Sequence, residues 1–94
     1  MNIGEFKRSL KNSELPAGLT AELKALWYDG KGNWDYAHEI AQDIESRSGS
    51  HIHAYLHRKE GDLANAGYWY RRADRQMPNK SLEAEWEDLV EIFL

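Results

Sequence analysis

The amino-acid sequence predicts one all-α domain of stacked antiparallel helical hairpins, spanning residues 1–94, with a further helix capping each end. Three observations carry that prediction. Apolar residues recur at three- and four-residue spacing in six segments, and none alternates with period two between hairpin turns. A helix–glycine turn–helix pattern occurs twice, and a shift of 29 residues brings Gly32 onto Gly61. The 94 residues are 41% apolar and include four Trp, five Tyr and two Phe, which suffices for one core but not two.

Each element has a local reason. Ile3, Phe6 and Leu10 mark one face of a short first helix, broken at Asn12-Ser13, and Pro16 and Gly18 make a linker or a loose helical start. Thr20 is the expected N-cap of a second helix carrying Leu19, Leu23, Leu26 and Trp27, ended by Gly30 and Gly32. Asn33 caps a third, with Trp34, Ala37, Ile40, Ala41 and Ile44 on one face. Ser48-Gly49-Ser50 reads as a turn before HIHAYLHRKE, whose Ile52, Tyr55 and Leu56 fall together before the stop at Gly61. Asp62 caps a fifth helix with Leu63, Ala66, Trp69, Tyr70 and Ala73, closed by Met77-Pro78-Asn79. Ser81 caps the last, residues 82–93, whose stripe is Leu82, Trp86, Leu89, Val90 and Phe93. That stripe is expected to cover the second hairpin, because an open stack end exposes an apolar face.

The 29-residue shift also lays Ala37 over Ala66, Ala25 over Ala54 and Ala41 over Tyr70. The units are residues 20–48 and 49–79. In each, a glycine lets the chain leave one helix with φ > 0, the next polar residue caps the following helix, and a small alanine lets two helices approach closely. Ala37 and Ala66 should therefore be buried between helices.

The stretch GDLANAGYWYRRADRQMPN resembles the second half of a tetratricopeptide repeat, with Gly61, Asp62, Leu63, Ala66, Tyr70, Ala73 and Pro78 at family spacing. GNWDYAHEIAQDI is similar to it through Gly32, Trp34, Ala37 and Ala41, without the closing proline. The unit is about five residues short of the family's period. In the first helices Ala25 and Ala54 hold the family's small position and Tyr28 its aromatic one, while His53 and His57 stand where a Leu and a Tyr are usual. The resemblance covers residues 20–79. It implies a right-handed hairpin stack presenting a concave face to a protein or peptide. The positions facing that groove would be His51, Tyr55 and Arg58, with Glu22, Leu26 and Asp29. Two units fall short of the roughly three a free-standing stack needs, so the end helices must cap it or another chain must.

Composition narrows the function. Without cysteine there is no disulfide, no thiolate-bound metal and no thiol nucleophile. No apolar run has the length of a membrane span or a secretion signal, so a cytoplasmic location is expected. Net charge is −4, all of it in residues 80–94, where one Lys stands against Glu83, Glu85, Glu87, Asp88 and Glu91. This balance argues against nucleic-acid binding, and Arg71, Arg72 and Arg75 are too few to reverse it. The acidic run reads as the solvated outer face of the last helix, with an acidic docking surface for a basic partner as the alternative.

Four histidines, His38, His51, His53 and His57, lie inside the repeats. His53 and His57 share a helix face at i, i+4, which is also a metal-ligand spacing. His53, His57 and Glu60, with His38 as a fourth ligand, would suit zinc or nickel. The competing readings make them interface histidines bonded to backbone or carboxylate, or contacts to a ligand or peptide. No nucleophile elbow, phosphate loop or calcium loop is present. The expected function is therefore a small interaction or scaffold module without a cofactor or tightly bound metal. A His-centred metal-binding or enzymatic protein is the alternative. A monomer is expected, with a homodimer through the C-terminal end as the other possibility.

Overall fold

Helices begin in this chain where a short polar side chain can accept a backbone N–H. In the computed structural model, which describes residues 1–94, Thr20, Asn33, Asp62 and Ser81 each do so, bonding the N–H of Leu23, Tyr36, Asn65 and Ala84. They open α2 (Ala21–Gly30), α3 (Trp34–Gln42), α5 (Leu63–Arg72) and α6 (Leu82–Phe93). Asn2 opens α1 (Ile3–Ser9) through a capping box with Glu5. The remaining helix is α4 (Arg47–Glu60), and the chain has no strand. Its radius of gyration is 12.3 Å, close to the roughly 12 Å of a compact chain of this length. No helix is long and apolar enough to cross a membrane.

The two glycine turns repeat in detail. Gly32 and Gly61 have φ of +85° and +91°. The residue after each donates its N–H back across the turn, Asn33 to the Tyr28 carbonyl at 2.9 Å and Asp62 to the His57 carbonyl at 3.0 Å. These bonds satisfy carbonyls that the helix end leaves open. Across each turn the helices pack together, α2 on α3 and α4 on α5, and α3 then lies against α4. Ala25, Ala37, Ala54 and Ala66 are all fully buried.

One expectation is corrected and a second refined. Ser48-Gly49-Ser50 is not a turn but part of the first turn of α4, which starts at Arg47. Gly49 makes this possible, since a Cβ there would stand 2.1 Å from the Ile44 carbonyl oxygen. The second is a refinement: α6 does pack on the second hairpin, through α4 and the Tyr70–Glu85 hydrogen bond from α5, but it also packs on α1 and α2. It lies over the first helices of both units instead of closing the end of the second. The large apolar side chains explain this: Leu26, Ile52, Tyr55 and Leu56 join Trp86, Leu89, Val90 and Phe6 in the main core. A smaller cluster, Ala54, Ala66 and Tyr70 with Trp69 against it, fills the space between α4 and α5.

Candidate functional site

Two constellations contain the residues singled out from the sequence. The first lies where α2 and α4 meet α6. Leu26, Asp29 and Tyr55 are buried there, and Arg58 and Glu22 are half-buried. The Tyr55 hydroxyl donates to Asp29 Oδ2 at 2.8 Å, and Lys59 Nζ reaches Asp29 Oδ1 at 2.9 Å. A parallel knot joins α4 and α5 to α6. Arg58 donates to Glu85 Oε1 at 2.8 Å and the Tyr70 hydroxyl to Glu85 Oε2 at 2.6 Å. Arg58 also bonds the Lys80 carbonyl. Each buried carboxylate thus takes one phenol and one cation, as burial of a charge requires. Burial, and then the adjoining carboxylate, pushes both tyrosine hydroxyls above the ordinary phenol range.

Of the expected groove residues, Leu26, Asp29, Tyr55 and Arg58 are therefore gathered on one face, but the chain's own α6 covers most of it. Trp86 Nε1 donates to the Leu26 carbonyl at 3.0 Å, and the Trp86 ring lies 5.9 Å from that of Phe6. An opening of about 380 Å³ remains beside it, lined among others by Leu10, Asp29, Tyr55, Lys59 and Leu82. Glu22 accepts from Ser48 at 2.8 Å, tying α2 to the start of α4. His51 stands apart, beside Arg75 and a cavity that also includes Arg47, Ile92 and Phe93. Burial, then the Arg75 charge, lowers it to about 4. Glu85 corrects the reading of the acidic run as wholly solvated, for it is only 3% exposed. Glu87 and Asp88 do face outward, paired with Lys7 and Lys80.

The second constellation lies between α3 and α4. His38 Nε2 and His53 Nε2 are 2.8 Å apart, close enough to share one proton. His57 stacks on His53 with ring centroids 4.7 Å apart, and one ring nitrogen of each of the three lies within 4.8 Å of the others. His57 Nδ1 is 2.7 Å from Glu60 Oε1 and its Nε2 is 3.3 Å from the Asn65 amide nitrogen. A carboxylate on one side and an amide donor on the other select the tautomer that carries its proton on Nδ1. Trp34 stacks on His38 at 4.9 Å, and Trp69 on His53 at 4.0 Å. Trp34 also donates its indole N–H to the Leu56 carbonyl at 2.8 Å, which pins α3 on α4. Burial and then the neighbouring histidines lower His53 to about 4, and burial and then His57 lower His38. At neutral pH both rings are uncharged and each offers a lone pair.

His38 thus belongs with His53 and His57, while Glu60 meets His57 and not the centre of the cluster. Sequence reasoning missed Trp34, Asn65, Trp69, Tyr70 and Glu85 as parts of these sites. Only Trp34–His38 carried a signal, its i, i+4 spacing on one helix. The chain matches no protein-family model, no curated protein and no solved structure.

Proposed function

We propose that this chain is a small interaction or scaffold module in which two tetratricopeptide-like hairpins, α2–α3 and α4–α5, offer the face lined by α2 and α4 to a helical peptide. One observation carries the reading. That face receives an amphipathic helix here, α6, through Trp86, Leu89 and Val90 and one acidic anchor, Glu85, held by Arg58 and Tyr70. An amphipathic helix laid into an apolar groove is a general mode of peptide recognition. A partner of this class carries an aromatic and aliphatic stripe with an acidic residue beside it. It competes with α6 or docks next to it at the opening near Tyr55, Lys59 and Leu82. The module needs no chemistry of its own, and we read it as a binding protein and not an enzyme.

The test weakens the seat of α6 in the full chain. Trp86→Ala should lower the melting temperature, and synthetic peptide 81–94 should raise it again with increasing concentration, as any ligand of the folded state does. The same peptide with Ser in place of Trp86 and Leu89 should have no effect. If the native peptide leaves the melting temperature unchanged, the groove reading fails.

A further inference from the structure

We propose that His38, His53 and His57 bind one late first-row transition-metal ion, with a solvent molecule as fourth ligand. This takes up the metal-binding alternative raised by the sequence, against the expectation of no tightly bound metal; it goes beyond the interaction reading and does not depend on it.

The donor set is three imidazoles from two helices, His38 on α3 and the other two one turn apart on α4. Imidazole suits zinc, copper and nickel, and three protein ligands plus an exchangeable fourth is a recurrent zinc geometry. Metal–nitrogen bonds of about 2.0–2.1 Å arranged tetrahedrally place neighbouring nitrogens about 3.3 Å apart. His38 Nε2 and His53 Nε2, now 2.8 Å apart, must separate by roughly 0.5 Å, which a small ring rotation supplies. The proton they share passes through solvent to an Nδ1, so both Nε2 lone pairs meet the ion and the charge of the rings does not change.

His57 is prepared differently. Its Nδ1 proton is held by Glu60, so Nε2 is the nitrogen left to ligate, and the Asn65 amide 3.3 Å away must give up its bond to that nitrogen when the ion enters. A carboxylate on the far nitrogen of a metal-bound imidazole orients the ring and raises its basicity. Glu60 therefore acts through His57 as a positioning residue. Trp34 and Trp69 stack on two of the rings and set their planes. A bound ion would join α3 to α4, the joint between the two hairpin units.

The test is calorimetric titration of Zn²⁺ into the full chain at pH 7.5, after a chelator has been used and removed. The result expected is one ion per chain with submicromolar affinity. His38→Ala and His53→Ala should each weaken binding more than about 100-fold, Glu60→Gln by about 10–100-fold, and His51→Ala not at all. Circular dichroism establishes that each variant is folded. A second measurement needs no variant: in the ¹⁵N spectrum of the native chain, Zn²⁺ should shift the imidazole nitrogens of His38, His53 and His57 and leave those of His51 in place. Absence of saturable binding, affinity weaker than micromolar, equal loss in His51→Ala, or unshifted imidazole resonances would overturn the assignment.

Discussion

At position 66 the side chain ends at Cβ because α4 and α5 leave no room for more: Ala66 is fully buried against Ala54 and Tyr70. Ala66→Leu should cost about 1–3 kcal/mol by overpacking, and Ala37→Leu the same between α2, α3 and α4. Urea denaturation midpoints check both, and unchanged midpoints would mean that the 29-residue correspondence has no structural meaning. Histidines make a second residue-scale prediction. His51 and His53 titrate near 4 in the folded chain against about 6.5 when unfolded. His51 faces Arg75 and Tyr70, and His53 faces His38, His57 and Trp69. Between these pH values the unfolded chain binds more protons than the folded one, so stability falls as pH drops from about 6.5 toward 4. The melting temperature at pH 5 should lie below that at pH 7.5, and His51→Gln should reduce the difference. An equal melting temperature at both pH values would show that neither ring is held neutral.

At the scale of the element, caps and turns were legible because the interactions are local. Thr20, Asn33, Asp62 and Ser81 bond within three residues of themselves, and Gly32 and Gly61 adopt the backbone that only their own residue type favours. The start of α4 was not legible. Ser48-Gly49-Ser50 has turn composition, but Gly49 is there for the close approach of Ile44, which lies outside the helix and whose position no local rule supplies. This gives a prediction with an unusual sign. Gly→Ala inside a helix ordinarily stabilises by about 0.5–1 kcal/mol. Gly49→Ala should instead destabilise by about 1–3 kcal/mol or more, because backbone stands where the methyl would go. A raised melting temperature in that variant would remove the contact. The stripe of α6 was equally readable from spacing, whereas its destination was readable only in part: the second hairpin was expected, and α1 and α2 share the contact. Periodicity says which face is apolar and is silent on which of two apolar surfaces receives it.

For the whole molecule, the all-helical character and the burial of the repeat alanines follow from the sequence, and the two sites follow only in part. Sequence placed His53 and His57 on one helix face with Glu60 three residues beyond His57, but only packing of α3 on α4 brings His38 to them. Likewise Leu26, Asp29 and Tyr55 share a face by position, while the meeting of Asp29 with Lys59 and of Glu85 with Arg58 and Tyr70 depends on contacts across the fold. The central claim is that the α2–α4 face is a seat for one amphipathic helix, filled by α6. Complementation between two fragments tests it most directly. A chain ending at Lys80 loses Trp86, Leu89 and Val90 from the main core and should be largely unfolded or aggregated. Refolded with synthetic peptide 81–94, it should form a one-to-one complex whose circular dichroism matches that of the intact chain. A truncated chain that is monomeric, folded and as heat-stable as the intact one, or that gains no helix with the peptide, would contradict the claim.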